Sequence, residues 1–221
     1  MCFSPEADLV VGVGLLPVAV MALREVRHPR ELPFALLPLL FALHQLVEVL
    51  VWPDTGGSVC PGVQEAASLA YVFFALPVLP ILVSSAVLLL EPRDQRLRIA
   101  PFVVLGAVVT TYLTSVVVSG SVQVEVHPHA LVYRVGLNQP ELWTTAYVVA
   151  VVGPSLASGY RSIVALGAVN LVGLIAVAVF YVTAFASLWC VLAACSSVLV
   201  VVHLRRRRRL PDVVRQASPT S

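Results

Sequence analysis

The sequence contains no lysine and little charge of either sign. Only 12% of its 221 residues are charged, and all 14 basic ones are arginine. A soluble domain of this size is about one quarter charged. Too little polar surface remains to cover a water-soluble globule, so that class is excluded. Four cysteines, Cys2, Cys60, Cys190 and Cys195, do not make a disulfide scaffold, and no Cys-x-x-Cys is present. There is no Walker motif, no dinucleotide glycine pattern and no internal repeat of the kind that builds two-half transporters. The acidic start, Met-Cys-Phe-Ser-Pro-Glu-Ala-Asp, lacks a basic n-region, so no cleavable signal peptide is expected. No apolar segment precedes Cys2 in this sequence, so a lipoprotein cysteine is not expected.

What is present is hydrocarbon: 59% hydrophobic residues and a mean hydropathy of +0.93. Crossing the apolar core of a bilayer takes about 20 apolar residues in a helix. Runs of this kind extend over 7–23, 33–52, 66–90, 99–118 and 142–157. From Ser162 to Leu204 there is no charged side chain except a possible one at His203. That stretch is about twice the length of one crossing and must fold back, with a turn expected around Tyr181 to Ser187. The expected fold is an all-α integral membrane protein of about seven transmembrane helices. Residues 1–204 form the bundle, and 205–221 a basic, disordered cytoplasmic tail.

The arginines set the orientation. Arg24, Arg27 and Arg30, then Arg93, Arg96 and Arg98, then Arg161, then Arg205 to Arg209, all share one side if the number of crossings is odd. Positive residues accumulate on the cytoplasmic side, so the N-terminus is expected outside and the C-terminus inside. Only Arg134 of the loop arginines is left outside. It belongs to a polar interval, 119–141, in which Val122-Gln-Val-Glu-Val126 alternates and Leu131-Val-Tyr-Arg-Val135 is rich in β-formers. His127-Pro128-His129-Ala130 lies between these runs. The pattern reads as a β-hairpin lid on the extracytoplasmic face, between helices four and five.

Ionisable groups inside a membrane are expensive and usually face an interior or a cavity. His44 and Glu48 stand four apart on one helix, on one face, in its outer half. They are candidates for catalysis, for metal or ligand binding, for a proton relay, or for a structural pair. His127 and His129 are i, i+2 in an extended segment and point the same way. Neutral imidazole is a common metal ligand. With Glu48, His44 and Cys2 they make up a candidate set for a divalent metal ion. Cys2 has an equal alternative, a disulfide to Cys60 in the next outer loop. Asn170, Ser187 and Cys190 are candidates for a buried polar network. The hydroxyls of Thr111, Thr114, Ser115 and Ser197 read as packing contacts. Pro17, Pro38, Pro77, Pro80 and Pro154 predict local irregularity in their helices.

Several of these motifs together resemble a group of uncharacterised bacterial membrane proteins that begin Met-Cys-Phe-Ser. The resemblance rests on Met1-Cys2-Phe3-Ser4 and on the segment Phe41-Ala-Leu-His-Gln-Leu-Val-Glu48 leading to Trp52. Val126-His-Pro-His129, Asn170, Ser187-Leu-Trp-Cys190 and His203-Leu-Arg205 also carry it. It implies a multi-pass architecture and no particular activity. Seven helices with intramembrane His and acidic groups also resemble the superfamily of alkaline ceramidases and adiponectin-type receptors, which are membrane zinc hydrolases. Their His-x-x-x-His pair on the last helix is missing here, where His203 stands alone.

The resulting expectation is a protein of the cell inner (plasma) membrane with an outward-facing polar pocket for a metal ion or small polar ligand. Non-enzymatic sensing or an accessory role, metal-dependent hydrolysis, and proton-coupled transport are the alternatives. Its partners are the bilayer and a small polar ligand or lipid, with no nucleic acid.

Overall fold

The computed structural model describes residues 4–52, 61–120, 122–127, 130–180 and 185–208. The described residues are mostly helix, with one small two-stranded sheet. Among the described residues, four rods are long and apolar enough to cross a membrane: Pro5–Arg24, Pro29–Val49, Gly62–Leu90 and Arg96–Ser119. The first is α1 (Pro5–Arg24), and the fourth is α6 (Arg96–Ser119). The second comprises a 3-10 turn at Pro29–Glu31, α2 (Leu32–Ala35) and α3 (Leu37–Val49). The third comprises α4 (Pro61–Phe73), a π-helical turn at Phe74–Val78 and α5 (Leu79–Leu90). After the lid come α7 (Pro140–Leu156), α8 (Arg161–Phe180) and α9 (Phe185–Arg208). Large apolar side chains face outward along these rods, with Val10 70%, Val104 65% and Val118 72% exposed. A water-facing helix would show the reverse pattern.

Sequence chemistry accounts for each start and break. At α1 the Ser4 hydroxyl accepts the Ala7 N–H at 3.3 Å, and Pro5 occupies the first turn where its missing N–H costs nothing. Gly12 brings α1 against α3: a Cβ there would sit 2.8 Å from Leu46 Cδ2 and 3.2 Å from the Ala42 carbonyl. The second rod was expected as one helix from Pro33; it begins at Pro29 and breaks at Leu36. Pro38 supplies the reason, because its ring cannot sit over the carbonyl four residues earlier in a continuous helix.

The third rod carries the irregularity expected at Pro77 and Pro80. The Leu79 N–H reaches the Phe74 carbonyl, an i→i+5 register. In that register the Ala75 carbonyl faces Pro80, which has no N–H to offer. Neighbouring rods supply the donors. Tyr147 Oη of α7 donates to the Ala75 carbonyl at 2.6 Å, and Thr110 Oγ1 of α6 to the Pro77 carbonyl at 2.6 Å. Gly106 lets α6 come this close, since a Cβ there would lie 2.8 Å from the Pro80 carbonyl.

The lid is a two-stranded antiparallel sheet, β1 (Gln123–His127) paired with β2 (Ala130–Arg134), in the register Val124↔Tyr133 and His127↔Ala130. The expected hairpin thus forms. The turn expected near Tyr181 to Ser187 falls partly on residues 181–184, outside the described residues; of the tail expected over 205–221, Arg205–Arg208 continue α9 as helix and the rest lies outside the described residues. At the opposite end from the lid, the largest apolar cluster joins Phe34, Leu90, Ile99, Ile163 and Leu204.

Candidate functional site

Polar groups concentrate at both ends of the bundle. On the lid side, α3 holds His44 and Glu48 one turn apart with 8% and 0% exposure. The amide of Gln45, itself buried, donates to Glu48 Oε2 at 3.5 Å. The imidazole of His44 lies flat on the Tyr71 ring of α4, 3.9 Å between centroids and 15° between planes, with Phe74 at 5.0 Å. Tyr71 in turn stacks on Tyr133 of β2, at 4.6 Å and 18°. A continuous column of rings therefore runs from the bundle interior into the lid.

The hairpin reaches this column because of its alternation. Val124, Leu131 and Tyr133 face the helices, where Leu131 joins Val51, Trp52 and Ala67 in one cluster. Glu125 and Arg134 face away and form an exposed pair at 2.6 Å, in which Glu125 holds the guanidinium above its ordinary range. Beside Leu131, Trp52 Nε1 donates to Asp8 Oδ2 at 2.8 Å, and Gln64 Nε2 donates to the Val51 carbonyl at 2.6 Å. Asp8 is fully buried although it lies in the first turn of α1.

Of the proposed metal set, His44 and Glu48 lie together on α3, and His127 ends β1 opposite Ala130. His129, Cys2 and Cys60 are outside the described residues. Among the described residues no three His, Cys, Asp or Glu side chains gather as a metal centre. Asn170 on α8 accepts a hydrogen bond from Ser196 Oγ at 2.9 Å and donates to the Leu166 carbonyl at 3.0 Å. The side chains of Ser187 and Cys190, its expected partners, fall outside the described residues.

At the arginine-rich end the structure gathers groups that sequence reasoning passed over. Glu91, at the end of α5, is 2% exposed; its Oε1 accepts from Ser158 Oγ at 2.5 Å and from the Gly159 N–H at 2.9 Å. Glu31 Oε2 caps the 3-10 turn, accepting from the backbone of Arg27 at 2.8 Å and His28 at 3.3 Å. Its Oε1 lies 4.0 Å from Arg207, whose guanidinium sits 4.9 Å above the Tyr160 ring. Burial raises the Tyr160 phenol above its ordinary range, with Arg207 pulling the other way, so it stays neutral at physiological pH. Ser162 Oγ and His203 Nδ1 are 2.6 Å apart, and the His203 ring packs edge-on against Phe34 and Tyr160. Of these groups, Glu31, Glu91, Tyr160 and Arg207 line a cavity of about 670 Å³, together with Arg30, Arg93 and Asp94.

The signals for this second region were weak but real. Glu31 and Glu91 each follow a run of basic or apolar residues at a helix end, where an acid is easily read as a solvated loop residue. At the lid end, Asp8 was visible as an acid in the first turn of an apolar helix.

The resemblance to an uncharacterised family holds: a model described as a family of unknown function (DUF6629) matches residues 1–216. No curated protein and no solved structure matches the chain.

Proposed function

We propose, for a chain that belongs to the DUF6629 family, a non-enzymatic role as a sensor or accessory protein of the cell inner (plasma) membrane. Its extracytoplasmic lid is tied to a buried His–Glu segment. The reading takes the four membrane-length rods together with α7, α8 and α9 as seven crossings. It takes the N-terminus as outside because the arginines of separate loops meet at the end opposite the lid, the cytoplasmic side by the positive-inside rule.

The observation that carries this reading is the ring column His44–Tyr71–Tyr133. A catalytic histidine must reach water and substrate. This one is 8% exposed with its face covered by Tyr71, while Glu48 receives the Gln45 amide. Such an arrangement favours transmission: anything that lifts the hairpin must unstack Tyr133 from Tyr71 and loosen the seat of His44. A ligand binding preferentially to the raised or seated lid would shift the balance between the two.

The test is hydrogen exchange at the amides of 123–127 and 130–134 in the purified protein. His44→Ala, which leaves the hairpin sequence intact, is expected to accelerate exchange there by about tenfold, the effect of roughly 1.4 kcal/mol of lost seating. Unchanged hairpin exchange would end the coupling reading. A divalent metal bound stoichiometrically and lost in His127→Ala and His129→Ala would replace it with the metal site, and with it the hydrolase reading. Proton uptake into liposomes that depends on Glu48 would favour the transporter.

A further inference from the structure

The cavity at the arginine-rich end takes no part in the lid mechanism, and its chemistry is different. It is walled by the 3-10 turn at Pro29–Glu31, the end of α5, the following residues 91–94, Tyr160 and the end of α9. A volume of about 670 Å³ is within the range of small-molecule sites, roughly 300–1,000 Å³. Three guanidinium groups line it: Arg30, Arg93 and Arg207.

The three carboxylates that also line it are engaged in different ways. Glu91 Oε1 and Glu31 Oε2 each hold local donors in place, and Asp94 accepts from the Gln95 amide at 3.3 Å. Arg30 and Arg93, in contrast, make no hydrogen bond or ion pair among the described residues. Arg207 is held with its face over Tyr160 and its side chain 12% exposed. Stacking uses the face of a guanidinium, whereas oxyanions meet its N–H edge, which Glu31 Oε1 approaches at 4.0 Å. Leu89, Leu90, Pro29 and Pro92 supply apolar wall beside the charges.

We infer that this cavity is a binding site for a phosphate ester, with Arg207 as its ordered inner contact and Arg30 and Arg93 as the contacts at its mouth. Arginine forks match the geometry of phosphate oxygens, and the neutral Tyr160 hydroxyl stands among the same wall residues as a further donor. Two sources present this chemistry at the cytoplasmic face of a membrane. One is the headgroup of an anionic phospholipid, which basic pockets between transmembrane helices accommodate. The other is a soluble phosphorylated metabolite. Apolar wall beside the arginines suits a lipid that brings its glycerol and chain ends along.

The experiment uses the full chain in nanodiscs and in detergent. Wild-type protein is expected to retain phosphatidylglycerol over phosphatidylcholine in native mass spectrometry. The double variant Arg30→Glu, Arg93→Glu alters two exposed side chains outside the packed core and is expected to reduce that retention about tenfold or more. Arg98→Glu, an exposed arginine outside the cavity, serves as the control for general surface charge and should leave retention unchanged. A second arm measures the thermal midpoint in detergent with glycerol 3-phosphate or inorganic phosphate. A rise in wild type that the double variant loses assigns the site to a soluble ester instead of a lipid. Preference for neither probe overturns the inference, and so does equal loss in Arg98→Glu or no loss in the double variant.

Discussion

The two ends of the bundle treat buried polarity by different means. At the lid end, the partners among the described residues include the Trp52 indole for Asp8, the Gln45 amide for Glu48 and the Tyr71 ring for His44. At the arginine end the acids meet backbone N–H groups, a hydroxyl and a guanidinium, around an open volume. Rings stacked between helix and hairpin fill space and fix orientation, which suits a joint. The exposed guanidiniums of Arg30 and Arg93 beside a cavity leave donors for something from outside, which suits a receptacle. One bundle therefore presents a seated closure on one face and an accessible charged chamber on the other.

That contrast can be broken most readily at Tyr71. Tyr71→Ala removes a 4% exposed ring that touches both His44 and Tyr133. It is expected to cost about 3–5 kcal/mol in denaturant unfolding, with the hairpin amides exchanging faster. If the loss is small and the hairpin stays protected, the lid is held by something other than the ring column. Glu91→Ala should come next, at about 2–3 kcal/mol, because it strips the acceptor from Ser158 and the Gly159 N–H. Its effect should be confined to the arginine end and leave hairpin exchange alone. Spread to the hairpin would mean that the two ends are not separable.

Trp52→Phe keeps most of the ring while removing the indole donor to the buried Asp8, for an expected loss of about 2 kcal/mol in the same assay. Asp8→Asn in that background should recover part of the loss, because an amide is cheaper to bury than a carboxylate with one donor fewer. The smallest effect belongs to Arg134→Gln. Its pair with Glu125 is exposed on the outward face of the hairpin, so the unfolding midpoint should not move. A clear drop there would show that the outward face of the lid is covered, against the reading of it as a free surface.

Much of the fold was legible because its signals are local. Apolar run length marked the rods, and period-two alternation in Val122–Val126 marked the hairpin. Pro38 and Pro77 foretold irregularity, though not that one would give a break and the other a π-turn with donors from two neighbouring rods. The site was half legible. Helical spacing put His44 and Glu48 on one face, yet no pattern within α3 could say that Tyr71 would cover the imidazole. Asp8 and Trp52 are 44 residues apart, and Glu91 and Ser158 are 67 apart. Periodicity assigns a side chain to a face but never names the neighbour across the gap. The cavity escaped for the same reason, since its walls come from separate loops that share no motif.

The π-turn at Phe74–Val78 lies between Tyr71 and Glu91 on a single rod. An α-helix advances about 100° per residue, so the widened turn acts as a phase offset between the two halves. Winding the same residues as an unbroken α-helix, without the wide turn that absorbs one extra residue, would swing the lid-side half by about that angle against the half beyond. Tyr71 could then face His44, or Leu89 and Glu91 could face the arginines, but the rod could no longer do both at once. A defect in the hydrogen-bond ladder thus serves as the gear tooth that keeps the two faces of the molecule in register.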